Sequence, residues 1–295
     1  MESKFIKSGA DLQTKHRAIC DGFLAQALQK TELATPFVED AKIFYEALKK
    51  VKSVEEILTF PKYRNDLASA CGFSDKARSK LTEDELNNAI KKVLTRIYKK
   101  DNSGFREEIL YRYLLTKGDT LGGSMRNFTG ASAGAKLTEK IIERLSSGNK
   151  KIQILKSKSG KIQRLTWDSR AILFDVKPRL VGKNIDVILI NRADIDTPEE
   201  ELLSDKNKYI ACGELKGGID PAGADEHWKT ANSALGRIRT AFGRNCPSLF
   251  FIGAAIEASM AKEIFKQLKS GELTHAANLN EENQVNDLVD WLLSL

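Results

Sequence analysis

The chain has 295 residues, a length that suits one large domain or two domains of ordinary size. Hydrophobic residues make up 41% of it and charged residues 29%, which is enough for a packed core and excludes a disordered or collagen-like chain. Its 47 Lys and Arg against 40 Asp and Glu give a net charge of +7, which is compatible with a nucleic-acid partner without establishing one. No apolar run approaches the ~20 residues that span a bilayer and no signal peptide is evident, so we expect a cytoplasmic protein without a membrane partner.

The N-terminal half of the chain shows helical periodicity. Apolar residues recur at three- and four-residue steps over residues 12–28, and Thr35-Pro36 predicts the start of a second helix. A capping box over residues 82–85 predicts another helix start. A further helix is predicted over residues 105–115, before a glycine-rich stretch, residues 118–130, that we interpret as a loop.

The pattern changes in the C-terminal half, where short apolar runs alternate with helical segments. Residues 151–167 alternate apolar and polar on either side of Ser159-Gly160, which predicts a β-hairpin. We expect an α/β (α+β) fold in which helices flank a mixed sheet, with a mainly helical domain over residues 1–130 and a sheet domain over residues 131–295. Further strands are predicted in AILFDVKP, NIDVILIN, YIACGELK and SLFFIGAAI, and helices over 224–242, 259–268 and 282–293.

Three polar residues near two of these strands are candidates for chemistry. Glu214 and Lys216 alternate along a strand end and therefore point to the same side. Asp186 begins the preceding strand, and if the two strands are neighbours, Asp186 and Glu214 converge at one end of the sheet. Two carboxylates there form a hard oxygen site for a divalent cation, typically Mg²⁺, beside the fixed positive charge of the lysine.

Asp–X(n)–Glu–X–Lys is the signature of the PD-(D/E)XK nuclease core, but three residues are a weak signal. The pattern [DE]-X-K recurs at residues 2–4, 40–42 and 175–177, and the last of these also lies in a predicted strand. That rival is followed by Pro178 and has no upstream carboxylate on a paired strand. The alternative interpretation of Glu214 and Lys216 is an ion pair on an edge strand.

The segment after Lys216 favours a nucleic-acid site. Gly217-Gly218 and the residues DPAG (220–223) predict a glycine-rich turn that a phosphate backbone can approach, and Asp220 is placed to accept a hydrogen bond from a base edge. A helix predicted from Ala224 carries His227 on its first turn, and its uncapped N-terminus would favour an anion. The alternative is that His227 is only a polar residue beside a buried Trp228.

The segment CGELKGGIDPAGADEHWKTANSALGRIRTAF (212–242) resembles the catalytic region of the AvaI/BsoBI family of type II restriction endonucleases. The similarity continues less densely at ATPFVEDAK, SDKAR, LLTKGDTLGGSMRN and FFIGAAIEASMAKEIFKQL, and so covers most of the chain. The spacings among Asp186, Glu214, Lys216 and His227 are similar to those of the family's catalytic residues. Ile185 stands where a Pro often precedes the aspartate, a departure that removes no ligand.

The resemblance implies a Mg²⁺-dependent homodimeric endonuclease that cuts double-stranded DNA at C^YCGRG and leaves 5′ overhangs. It implies a restriction-endonuclease-like PD-(D/E)XK core with an added helical domain, in a dimer that encircles the DNA. It also implies a cognate DNA methyltransferase that acts on the same site without stable binding. Carried over by residue, Asp186 and Glu214 would bind metal, Lys216 would stabilise the pentavalent phosphate, and His227 would orient or deprotonate the attacking water.

Four residues are expected to contact DNA. By the resemblance, Asp220 would contact bases, and so would Lys76, on a shorter match. Lys117 precedes the glycine-rich stretch and Arg126 lies within it, and both would bind phosphates, unless that stretch merely joins the helical part to the core. The stretch lacks the Gly-Lys-Ser/Thr end of a Walker A loop.

Two other functional classes are compatible with the same motif. One is a structure-specific DNA repair or recombination nuclease of the same fold. The other is a DNA-binding module without catalysis, against which the intact Asp186, Glu214 and Lys216 argue. A cleavage assay separates all three classes.

Overall fold

The computed structural model describes residues 3–191 and 197–295. The chain forms two compact units, one over residues 24–127 and the other built from residues up to 23 together with residues from 128 onward. The second unit, which we call the sheet unit, therefore includes an N-terminal segment that the predicted division at residue 130 assigns to the helical domain. The functional division of the chain into two domains stays a prediction.

Within the described residues, seven strands form a single sheet in the spatial order β1 to β7. Neighbours from β1 to β5 are antiparallel, whereas β6 is parallel to β5 and β7 is parallel to β6. The expected mixed sheet flanked by helices is thus confirmed. The strands are β1 (Gln153–Lys156), β2 (Ile162–Trp167), β3 (Arg170–Val176), β4 (Ile185–Asn191), β5 (Tyr209–Lys216), β6 (Ser248–Gly253) and β7 (His275–Asn278).

The runs of apolar residues in these strands are continuous because both faces of the sheet are buried. Ile188 and Ile190 of β4 pack in one core cluster, whereas Val187 and Leu189 pack in another. Alternate residues point to opposite faces, so a strand between two cores needs apolar side chains at every position. The predicted hairpin is confirmed as β1 and β2, with Gly160 at φ +83° in the turn, where only glycine is free of steric cost.

The helices of the unit over residues 24–127 enclose a separate apolar core that includes Phe44, Ile90 and Tyr113. The predicted capping box is confirmed, because the Thr82 side chain accepts from the Glu85 backbone N–H and the Glu85 side chain accepts from the Thr82 N–H. No helix in the described residues is both long and apolar enough to cross a membrane. The helices are α1 (Gly9–Leu12), α2 (His16–Lys49), α3 (Val54–Leu58), α4 (Arg64–Ala70), α5 (Asp75–Arg78), α6 (Glu83–Lys100), α7 (Phe105–Ser147), α8 (Glu199–Ser204), α9 (Pro221–Phe242), α10 (Ala258–Ser270) and α11 (Glu282–Ser294), with short 3₁₀ turns at 61–63, 206–208 and 243–245.

Two predicted breaks in the N-terminal half are wrong, because α2 and α7 run through them. Pro36 lies inside α2, and since Glu32 and Pro36 are both exposed, water can solvate the carbonyl that loses its donor. The glycine-rich stretch over residues 118–130 is helical, although each glycine costs up to about 1 kcal/mol relative to alanine. Buried residues at both ends of α7, such as Tyr113 and Leu137, offset that cost by packing.

Candidate active site

Asp186 and Glu214 lie opposite each other on two neighbouring strands. The β4–β5 ladder pairs Val187 with Gly213, and one step further along the same register Asp186 faces Glu214. Asp186 Oδ2 also accepts a hydrogen bond of 2.8 Å from the backbone N–H of Leu215, which fixes its carboxylate against β5. The sheet thus brings the two carboxylates to one place from positions 28 residues apart in the chain.

Lys216 joins the two carboxylates. Its Nζ lies 2.9 Å from Glu214 Oε2 and 3.2 Å from Asp186 Oδ2. The alternative interpretation of an ion pair on an edge strand is wrong about the strand: the ion pair is present, but β5 is an inner strand between β4 and β6. One ammonium faces two carboxylates, so these three side chains carry a net negative charge when all are ionised.

Burial makes Glu214 an unusual carboxylate. The residue is 3% exposed, and its Oε1 is buried with no hydrogen-bond partner among the described residues. Burial, reinforced by the negative charge of Asp186, raises the pKa of Glu214 to about 7 despite the adjacent lysine. Burial acts to lower the pKa of Lys216, but the two carboxylates outweigh it and raise that pKa above its ordinary value.

The donor set fits a hard divalent cation. The unpartnered Glu214 Oε1 is a buried acceptor that a cation would satisfy, and both acidic residues offer the oxygen ligands that Mg²⁺ prefers. Among the described residues no cluster of three or more His, Cys, Asp and Glu side chains is arranged to hold a metal ion. Mg²⁺ commonly binds through one or two carboxylates and completes its shell with water and substrate phosphate, so two carboxylates suffice.

The helix that carries His227 differs from its prediction. It begins at Pro221 rather than Ala224, which places His227 on the second turn. Its N-terminus is not uncapped, because Asp220 Oδ1 accepts a hydrogen bond of 3.0 Å from the Ala222 N–H. Asp220 is exposed and has the geometry of an N-cap, so the predicted free anion site at this helix end is wrong.

The glycines after Lys216 have packing partners. A Cβ on Gly217 would lie 2.6 Å from the Ala133 Cβ and 2.7 Å from the Thr129 carbonyl oxygen, both on α7. A Cβ on Gly218 would lie 3.0 Å from Nε2 of the exposed His227. Because glycine has no Cβ, these two positions let α7 and the His227 imidazole come close to the loop. The sequence pattern does not reveal this use of the glycines, because α7 is distant in the chain.

The rival pattern Asp175-Val176-Lys177 begins at the end of β3, beside β4, where Val176 pairs with Ile185. Asp175 has φ +57° and binds Lys161 at 2.9 Å and the Asn184 amide at 3.2 Å. The Lys161 hydrogen bond lowers the pKa of the Asp175 carboxyl. Lys177 is exposed, so this aspartate pairs with the lysine of the β1–β2 hairpin rather than with the lysine of its own motif.

The other predicted DNA contacts lie in the unit over residues 24–127. Lys76 is exposed on the short helix α5. Lys117 and Arg126 lie on α7, and the interpretation of their segment as a loop is wrong. Lys117 is half-buried, with its Nζ 5.3 Å from the centre of the Tyr113 ring, whereas Arg126 is exposed.

Comparison with known proteins places this chain in a family. The family described as restriction endonuclease BsobI matches residues 2–169 and 159–295. The chain is 42% identical to the type II restriction enzyme AvaI of Nostoc sp. (strain PCC 7120 / SAG 25.82 / UTEX 2576), with 98% of each chain covered. It has the same identity and coverage with AvaI of Anabaena variabilis, and it is 39% identical to the type II restriction enzyme BsoBI of Geobacillus stearothermophilus over 98% of this chain and 97% of that enzyme. Matches of this extent, over a chain whose sheet unites Asp186, Glu214 and Lys216, show that the protein belongs to the restriction endonuclease BsobI family.

Proposed function

We propose that the protein is a type II restriction endonuclease that hydrolyses double-stranded DNA with Mg²⁺ at C^YCGRG and leaves 5′ overhangs. The observation that carries the proposal is the Asp186–Glu214–Lys216 group on neighbouring strands of a chain that belongs to a restriction-endonuclease family. We further propose that the sheet is a PD-(D/E)XK core, because one acidic residue comes from β4 and the Glu-X-Lys pair from the end of β5.

Each residue of the group has a role that follows from its place. Asp186 and Glu214 would hold Mg²⁺, which supplies Lewis-acid chemistry when bound, neutralising phosphate charge and making water more acidic. A water oxygen forms a bond to phosphorus and gives up a proton, while one P–O bond of the DNA backbone breaks and the released oxygen takes up a proton. Lys216, held as an ammonium by two carboxylates, would offset the negative charge that grows on the phosphate oxygens.

His227 is proposed to orient or deprotonate the attacking water. Its Nε2 lies against Gly218, two residues beyond Lys216. If it is the base, cleavage requires the neutral imidazole, so the rate should show an acidic limb, falling where low pH protonates the ring. His227→Ala should then cut far more slowly and lose this acidic limb in single-turnover rates measured against pH at saturating protein and Mg²⁺.

The alternative role for His227 is a hydrogen bond to DNA. In that case His227→Ala should bind the duplex more weakly and keep the acidic limb. An acidic limb that survives in His227→Ala would therefore remove the general-base role and assign the titration to another group.

Lys76, Lys117, Arg126 and Asp220 are proposed DNA contacts, the first and last to bases. Each phosphate contact releases condensed counterions, so binding should weaken steeply with salt. Arg126 is exposed on α7, and Arg126→Ala should lower the slope of log K against log salt by roughly one unit. Lys117→Ala should have the same effect if the Lys117 ammonium leaves the Tyr113 ring to bind DNA. Titrations at several salt concentrations measure this, and an unchanged slope returns that residue to a structural role.

The protein is further proposed to act as a two-fold homodimer. A six-base pseudo-palindrome presents the same half-site twice, and a C2 dimer matches that symmetry. Analytical ultracentrifugation should show a dimer on the cognate duplex. A monomer both free and bound would contradict the proposed recognition.

Digestion of a plasmid of known sequence with Mg²⁺ tests the proposed function. Discrete fragments, whose sequenced ends all derive from CYCGRG and carry 5′ overhangs, are expected. If the fragments all end at another defined sequence, the proposed restriction activity stands and the proposed recognition site is replaced by that sequence. Cutting only at flaps, nicks or mismatches would point to the structure-specific nuclease, and no cutting at all to a binding module.

A further inference from the structure

Thr14 forms a buried hydrogen-bond junction with the segment that follows β6. Its backbone N–H donates to the Ile256 carbonyl at 2.9 Å, and its Oγ1 accepts from the Ile256 N–H at 2.9 Å. The hydroxyl also donates to the Ala254 carbonyl at 2.9 Å and accepts from the Asn278 amide at 2.9 Å. One donor and two acceptors are the full capacity of a hydroxyl, so Thr14 is fully used here.

This junction lies one hydrogen bond from Lys216. The Ala254 N–H donates to the Lys216 carbonyl at 2.9 Å, and Gly253 is the ladder partner of Lys216. Ala254 is therefore bonded to Thr14 through its carbonyl and to Lys216 through its N–H. A shift of Ala254 would be transmitted to the backbone that carries the lysine.

Asn278 and Gln284 hold the N-terminal segment from the other side. The Asn278 side chain, itself 0% exposed, donates to the Leu12 carbonyl at 3.0 Å, and its N–H donates to Gln284 Oε1 at 2.8 Å. The Gln284 amide in turn donates to the Asp11 carbonyl at 2.6 Å. The bonds to Leu12 and Asp11 are to backbone carbonyls, so they fix the path of the segment irrespective of its side chains.

The N-terminal segment also contacts the loop that follows Lys216 in the chain, and it does so through Gly22. A Cβ on Gly22 would lie 2.5 Å from Cγ1 of Ile219, which is buried three residues after the lysine. The start of α2 thus packs directly on that loop, while Thr14, two residues before α2, holds the chain at Ala254. Residues 12–22 therefore contact both Ala254, which is hydrogen-bonded to Lys216, and Ile219 in the loop that follows Lys216.

We propose that Thr14 is a positioning residue for the lysine, with Gly22 as its second support; this rests on the proposed role of Lys216 in cleavage. Hydrogen bonds across the site hold the lysine only as precisely as its backbone is held, and a displacement of ~1 Å at a reacting group can reduce a rate by about a hundredfold. The function of residues 12–22 is thus to fix the lysine ammonium, in addition to their part in the fold of the sheet unit.

Thr14→Val tests the proposal, because it keeps the shape and removes every hydroxyl bond. The single-turnover cleavage rate at saturating protein and Mg²⁺ should fall by about tenfold or more. The Kd for the cognate duplex, measured without Mg²⁺, should stay within about twofold of wild type, and Thr14→Ser should restore the rate. The matched control is Thr138→Val, which removes another buried hydroxyl that donates to a backbone carbonyl, and it should cut like wild type.

The outcomes separate this proposal from the proposed function. If the wild-type protein does not cut DNA, the proposed function fails; if Lys216→Ala cuts like wild type, only the proposed role of Lys216 fails. If Lys216→Ala is inactive but Thr14→Val matches Thr138→Val, the positioning role is overturned. If Thr14→Val is unfolded at the assay temperature by circular dichroism, Gly22→Ala decides instead: a slower rate with unchanged Kd supports the proposal, and a wild-type rate overturns it.

Discussion

Glu214→Gln is expected to abolish Mg²⁺-dependent cleavage and to leave specific DNA binding largely intact. The amide keeps the volume of the side chain but removes one of the two anionic oxygen ligands, and the site has no third carboxylate among the described residues to replace it. Cleavage of a cognate duplex at saturating Mg²⁺ and fluorescence anisotropy without Mg²⁺ measure the two properties. Asp186→Asn is expected to give the same separation.

The stability of Glu214→Gln shows whether the loss arises from the site or from the fold. Burial raises the pKa of Glu214 to about 7, above its ordinary value of 4.5, so the fold favours the protonated form. The stability that this proton contributes is present at low pH and is lost as the pH rises through this range. At pH 8 the ionised Glu214 therefore lowers the free energy of unfolding. Without metal at pH 8, Glu214→Gln should therefore melt no lower than wild type.

A matched control for this variant is Glu200→Gln, whose side chain is 83% exposed. It should cut, bind and melt like wild type, because an exposed ion pair contributes little. Wild-type cleavage by Glu214→Gln would remove Glu214 from the site. Inactivity accompanied by a large fall in melting temperature would assign the loss to the fold.

Much of the sheet unit could be predicted from the sequence because its signals are local. Continuous apolar runs and the Ser159-Gly160 turn predict strands and a hairpin, and both are present. The strand order could not be predicted from these local signals, because several orders are compatible with the same strands; in this sheet each strand pairs with the next one in the chain. The sequence does not predict β7, residues 275–278, because four buried residues, two of them polar, show no period.

The limits of prediction are clearest where packing overrides local preference. Glycines over residues 118–130 and Pro36 are breakers by propensity, yet both segments are helical because packing stabilises the helices around them. The proposed site shows the same division. The spacing of Glu214 and Lys216 predicts a shared side, whereas the approach of α7 to Gly217 and the Thr14 junction at Ala254 join residues more than 80 positions apart.

Lys216→Ala and Lys177→Ala, tested side by side, distinguish the two candidate motifs. Lys216 bridges two carboxylates at the proposed site, so we expect its replacement to reduce the single-turnover rate by more than about tenfold, as for a cation that faces a developing oxyanion. Lys177 is exposed and its Asp175 binds Lys161 instead, so Lys177→Ala should cut like wild type.

The Mg²⁺ dependence of Lys216→Ala distinguishes a lysine that acts on the phosphate from one that organises the carboxylates. Removing the ammonium leaves Asp186 and Glu214 without their positive neighbour, so their attraction for a cation should rise rather than fall. More Mg²⁺ should therefore fail to restore the rate, because the missing group acts on the phosphate and not on the metal. Recovery at high Mg²⁺ would show that Lys216 only organises the carboxylates, and an inactive Lys177→Ala beside an active Lys216→Ala would transfer the site to residues 175–177.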